Sequence, residues 1–140
     1  CLETEVSGWA AHRQFIEKLK QGNISLLSKQ FESGQQITLN DILDVLSKED
    51  MMAIEVMEQI GASLGRAIAG LINMFNPEVI VLGGTLYEAK DYLLLPIKSA
   101  INKYALNFVS KDTAIKVSKL GESAGLIGIC AITRNRMLGL

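Results

Sequence analysis

Cys1, Glu3 and the pair Gly83-Gly84 are the residues whose types and placement could do chemistry in this chain of 140 residues. Cys1-Leu2-Glu3 opens a segment of helical composition, so Glu3 falls near the positive end of a helix dipole, where a carboxylate stays ionised. There it could accept hydrogen bonds from a hydroxyl-rich ligand, or it could simply cap the helix, as such carboxylates commonly do. The residues alone leave both open, and capping is the more economical reading. Gly83-Gly84 follow Val79-Ile80-Val81-Leu82. Neither glycine carries a Cβ, so backbone there can approach a ligand or a neighbouring element closely. In open α/β sheets the carboxyl edge of the strands is where small molecules bind.

Other chemistries are excluded by what is missing. His12 is the only histidine, which rules out a two-histidine metal site or an HExxH helix. No GxxxxGK[ST] loop and no GxGxxG is present. His12, mid-helix beside Arg13, reads as a surface or helix-packing residue, because a general base needs a partner that the sequence does not supply.

The elements that must position these residues follow from composition and period. With 49% hydrophobic and 21% charged residues, the chain has the make-up of one globular domain. Its 14 basic and 15 acidic residues nearly balance, which argues against a nucleic-acid-binding surface. Cys1 and Cys130 lie at opposite ends, outside any CxxC pair, so a disulfide framework is not expected. No run of about 18 apolar residues is long enough for a membrane span, and no basic leader with an apolar h-region opens the chain. The start at Cys1 rather than methionine is read as a piece of a longer polypeptide.

Helical composition runs from about residue 3 to 20, with Val6, Trp9, Ala10, Phe15, Ile16 and Leu19 forming an apolar stripe. A short helix over 23–31 and a polar loop over 32–36 are expected next. Thr38 with Asp41 forms a capping arrangement that opens a helix ending near Ser47. The longest helix spans about 49–75, with Met52, Val56, Ile60, Leu64, Ile68, Leu71 and Phe75 at spacings of three and four. Gly61, Gly65 and Gly70 inside it are read as sites of close packing against another helix or the sheet. Pro77 ends that helix. The unalternating run 79–82 reads as a strand covered on both faces. A helix over 91–106, a strand over 115–118, a turn over 121–125 and a last helix over 126–137 complete the chain. Strand, helix, strand in that order is a βαβ unit, so the strands should be parallel with a right-handed crossover.

Three motifs in this order resemble the C-terminal portion of the ROK family of bacterial repressors, sugar kinases and uncharacterised relatives. The first is Cys1-Leu2-Glu3-Thr4-x-x-Ser7. The second runs from Leu64-Gly65 through Asn73-x-x-Asn76-Pro77-Glu78 to Ile80-Val81-Leu82-Gly83-Gly84. The third is Leu120-Gly121-Glu122-x-Ala124-Gly125-Leu126-Ile127-Gly128. The resemblance covers essentially the whole chain. It implies an α/β fold, the C-terminal lobe of the actin-like, ribonuclease-H-like sugar kinase architecture, helix-rich with a short parallel βαβ unit, over residues 1–140.

The resemblance also implies roles. Glu3 matches the glutamate that hydrogen-bonds sugar hydroxyls. Cys1 matches the last cysteine of the family's zinc segment, whose other three ligands would precede residue 1. A tetrahedral structural zinc needs four ligands, so no zinc is expected in these residues alone, although one is expected in the whole protein. Gly83 and Gly84 match the pair beside the adenine or ribose of ATP, a role that applies only if ATP binds. The phosphate loop, the catalytic aspartate and the helix-turn-helix would lie in the other half, so no residue here is expected to be catalytic. Cys1-Leu2-Glu3-Thr4 and the segment 22–37 look more like the repressors. The expectation is therefore the sugar-sensing part of a cytoplasmic transcriptional regulator, meeting DNA only through a separate N-terminal domain, with no membrane partner and with homo-oligomers formed through this lobe. The alternative is the C-terminal lobe of an ATP-dependent sugar kinase.

Overall fold

The computed structural model describes residues 1–106 and 113–139. Its elements in chain order are α1 (Glu3–Val6), α2 (Gly8–Lys20), α3 (Ser28–Glu32), α4 (Leu39–Ser47), α5 (Met51–Phe75), β1 (Val79–Leu82), α6 (Lys90–Tyr104), β2 (Ala114–Val117) and α7 (Ala124–Leu138). Single 3-10 turns at Tyr87–Ala89 and Gly121–Ser123 lead into α6 and α7. β1 and β2 form a parallel pair, with Val79 opposite Ala114 and Leu82 opposite Val117. The expected βαβ unit is therefore present.

The helix expected over 3–20 is two helices. Ser7 adopts an extended backbone (φ −84°, ψ 169°), and its hydroxyl accepts from the Ala10 amide at 3.2 Å, capping α2. A serine can satisfy an orphan amide at a helix start from that conformation, so the chain breaks and restarts there. Of the expected apolar stripe, Ala10, Phe15 and Leu19 are buried, joined by Ala11, whereas Trp9 is 60% exposed and lies under the Arg13 guanidinium, 5.1 Å from the ring centroid.

The helix expected over 23–31 begins only at Ser28. Asp50 explains the delay. Its carboxylate accepts from Ser25 Oγ at 2.9 Å and from the Leu26 amide at 2.7 Å, holding residues 25–27 in a turn. The same carboxylate accepts from the Ala53 amide at 2.9 Å and so caps α5. The expected capping box at Thr38 and Asp41 is formed in both directions.

α5 is the spine, with α1, α2, α4 and α6 packed on it. Its buried face carries Met57, Ile60 and Ile72, while Leu71 and Phe75 of the expected stripe are 47% and 67% exposed. The stripe steps by three from Ile68 to Leu71, whereas the buried face continues by four from Ile68 to Ile72, with Ala69 beside it. Gly61 and Gly65 are close-packing sites, as read. A Cβ on Gly61 would sit 2.6 Å from Pro96 Cγ, and one on Gly65 would sit 2.5 Å from the Ile97 carbonyl oxygen. Gly70 does not belong with them: it is exposed, and an added Cβ would meet nothing within 4 Å. Asn73, at the end of α5, donates to the Tyr104 carbonyl at 3.2 Å and accepts from the Leu106 amide at 2.8 Å, tying down the end of α6.

β1 is not covered on both faces. Ile80 and Leu82 pack partly against the core, whereas Val79 and Val81 are 42% and 61% exposed. Among the described residues, the apolar run has helices on one side of the sheet only. α7 buries none of its residues, and Leu126, Ile129 and Met137 are more than half exposed.

Candidate functional site

The end of β1 is shaped by backbone before side chains. Asn76 terminates α5 in the left-handed region (φ 44°), and Pro77 starts the short connection to the strand. The Thr113 hydroxyl donates to the Pro77 carbonyl at 2.7 Å, and the Ala114 amide donates to the Glu78 carbonyl at 2.8 Å, which fixes the strand register. After Leu82 the chain turns through Gly83 and Gly84. Gly84 has φ +116°, a region that side chains rarely adopt. Gly83 is not demanded by space within this chain, since a Cβ there would meet Ser118 Cβ at an ordinary 3.5 Å.

The glycine pair lines a cavity of about 240 Å³. Gly83, Gly84, Thr85 and Leu86 bound one side, and Val6, Ser7 and Gly8 another. α5 contributes Ile60 and Leu64, and α6 contributes Lys90, Leu93 and Ile97. The lining is mostly apolar, with Ser7, Thr85 and Lys90 as its polar side chains. A pocket for a whole drug-sized ligand is commonly about 300–1,000 Å³, so this one suits a single flat or apolar portion of a ligand.

Neither Glu3 nor Cys1 is among the lining residues. Glu3 is exposed in the first turn of α1, and its carboxylate makes no hydrogen bond or ion pair among the described residues. Cys1 is an exposed thiol. Its carbonyl accepts from Thr4 Oγ1 at 2.7 Å. The Arg13 guanidinium donates to the Thr4 carbonyl at 3.2 Å, so α1 is tethered to α2 across the break. The structure thus joins Gly83 and Gly84 to the helix break after Glu3, with Glu3 on the adjoining turn. Among the described residues no three His, Cys, Asp or Glu side chains converge to hold a metal.

His12 donates from Nε2 to the Ile37 carbonyl at 2.9 Å, linking α2 to the segment that leads into α4. Sequence reasoning did not single out Gly8 and Thr85 as site residues. The Ser-Gly dipeptide is a recognised turn signal, and a serine before a helical run is a helix-start signal, so the break was findable. Thr85 carried no signal beyond following the glycines.

With this geometry in view, comparison with known proteins assigns the class. The fold is that of one part of the actin-like sugar kinases and their regulator relatives, a helix-rich lobe around a parallel βαβ unit. A putative sugar kinase from Cytophaga hutchinsonii shares it, with TM-score 0.81 at 23% identity over 95% of this chain and 44% of that one. A crystal structure described as a ROK family transcriptional regulator, homologous to the E. coli Mlc protein, matches with TM-score 0.74 at 33% identity. It covers 84% of this chain and 28% of that one.

The profile of the ROK family matches residues 1–136, and the chain belongs to that family. Its relatives include a glucokinase of Halalkalibacterium halodurans, 36% identical over 91% of this chain and 39% of the kinase. They also include the E. coli regulator NagC, 35% identical over 99% of this chain and 32% of NagC. The chain therefore spans well under half the length of these relatives. No described helix is long and apolar enough to cross a membrane.

Proposed function

We propose that this chain is the sugar-sensing half of a cytoplasmic ROK transcriptional regulator. A sugar effector binds in a cleft bordered by α1, and Glu3 accepts hydrogen bonds from its hydroxyls. The observation that carries this reading is the likeness to NagC along 99% of the chain. An unpaired, exposed carboxylate on a tethered turn is suited to the role, because no competing partner among the described residues must be displaced. Sugar binding would change DNA affinity only through a difference in affinity for two arrangements of the whole protein. In the whole protein Cys1 supplies one thiolate to a zinc whose remaining ligands come from outside these residues. Association of copies through this lobe belongs to the same reading.

A sugar kinase is the second reading, and the cavity favours it. Gly83 and Gly84 at the carboxyl end of β1, over an apolar recess of about 240 Å³, suit the face of an adenine or ribose. The likeness to the Halalkalibacterium halodurans glucokinase supports it equally.

The test is calorimetric titration of the whole protein with glucose and N-acetylglucosamine, in wild type and Glu3→Gln. Removal of one charge-assisted hydrogen bond should weaken sugar binding by about tenfold or more. Unchanged affinity in Glu3→Gln removes the assigned contact. Sugar-dependent loss of DNA binding supports the regulator, and phosphorylation of the sugar by ATP replaces it with the kinase.

A further inference from the structure

Gly61 and Gly65 draw α5 and α6 to backbone contact, and on the outer side of that seam the two helices leave an open groove of about 440 Å³. Small residues line it, Ala62 from α5 and Ser99 and Ala100 from α6, beside Pro96 and a Leu95 that is 75% exposed. Its charged residues fall toward opposite ends. Glu58 and Arg66 are eight residues apart on α5, which is about 12 Å of helix. Lys103 of α6 belongs to the Arg66 end, because both cations reach the Tyr104 ring, at 5.4 and 5.9 Å from its centroid.

None of these charges is matched within the chain. Among the described residues neither Arg66 nor Lys103 has a carboxylate within ion-pair distance, and Glu58 has no cation. Two positive groups gathered at one ring repel each other, so the arrangement calls for an anion from outside. An acidic peptide would satisfy only that end and would meet Glu58 at the other. A second copy satisfies both. Glu58 and Arg66 stand four residues to either side of Ala62, on one i, i+4, i+8 row of α5. A two-fold axis at Ala62 would run the two copies of α5 antiparallel and bring each acidic end against a basic end, as a contact that uses one patch twice requires. The small side chain at the centre of the row leaves room for the helices to approach.

We propose that a second copy of this chain docks on the α5–α6 groove across a two-fold axis at Ala62, with Glu58 of each copy paired with Arg66 and Lys103 of the partner subunit. The inference rests on the reading that copies associate through this lobe, and it adds the face and the pairs. It does not depend on which sugar is bound or on whether the whole protein is a regulator or a kinase.

Sedimentation of the whole protein over a concentration series tests this in wild type, Glu58→Arg, Arg66→Glu and the variant carrying both. Each single reversal sets like charges together twice per dimer and should weaken the dimer by about tenfold to a hundredfold. Both residues are exposed, so the fold tolerates the change. The double variant rebuilds the pairs with their signs exchanged and should recover most of the loss. An equimolar mixture of the two single variants should form a heterodimer, since one copy is then positive at both ends of the row and the other negative at both. Single variants that dimerise like wild type overturn the proposal, as does a mixture that does not recombine. Wild-type protein that stays monomeric sinks the association reading together with this inference. Dimeric wild type with unaffected single variants sinks the inference alone.

Discussion

Two carboxylates set the local geometry of the first half of the chain, and they differ in how the sequence announces them. Asp41 stands in a recognisable box with Thr38, and the box is present: Asp41 Oδ2 accepts from the Thr38 hydroxyl and amide, each at 2.7 Å. The Thr38 hydroxyl, followed by the Thr38 amide, holds the Asp41 carboxyl below its ordinary value of 3.8. A depressed native pKa means that the unfolded chain binds the proton more readily. The stabilisation is therefore complete above the unfolded value and is lost as pH falls through the native one. Acid titration of stability by urea midpoint should show a decline below about pH 4 that is shallower in Asp41→Asn. Asp50 was invisible as a tertiary anchor, because its partners Ser25 and Leu26 are brought to it only by folding. It is the one buried charged residue among those described. Asp50→Ala leaves the buried Ala53 amide and the part-buried Leu26 amide without their acceptor and removes a helix cap, and should cost about 2–4 kcal/mol by denaturant unfolding.

At the scale of elements, the three glycines of α5 show where period and composition inform and where they stop. Their residue type marked a helix that tolerates poor helix formers, and Gly61 and Gly65 do face α6 at backbone contact. The sequence could not separate Gly70, because whether a glycine is packed depends on what lies across from it. A pair of substitutions tests this. Gly65→Ala forces a methyl against the Ile97 carbonyl and should destabilise by about 1–3 kcal/mol. Gly70→Ala, which meets open space, should stabilise by about 0.5–1 kcal/mol. Thermal midpoints moving in the same direction would contradict the assignment. The order of helices and the parallel strands were legible because they depend on runs of residue type. The break at Ser7 was passed over because the apolar period on either side of it continues almost unchanged. Gly83 and Gly84 were legible as a candidate site, whereas Gly8 and Thr85 became visible only once two distant segments met.

At the scale of the whole chain, apolar surface is exposed on the open face of β1 and along α7. Leu126, Ile129, Ile132 and Met137 are each more than half exposed, and exposed apolar patches of that kind promote association. The chain prepared by itself should self-associate at micromolar concentration in sedimentation, and Ile129→Glu with Ile132→Glu should lower that tendency without moving its thermal midpoint. The reading of β1 as covered on both faces followed from its composition. Composition records what a strand is built to face, and the second face has no cover among the described residues.

α5 touches four other helices and carries the most deeply enclosed side chains of the molecule. Its central amides, from Met57 to Ile68, have no local opening that would expose them without dismantling those neighbours. Their deuterium uptake should therefore wait for complete unfolding. The slowest exchange rates along that helix would then report the total stability of the lobe, and each of the substitutions above could be weighed at a single peptide.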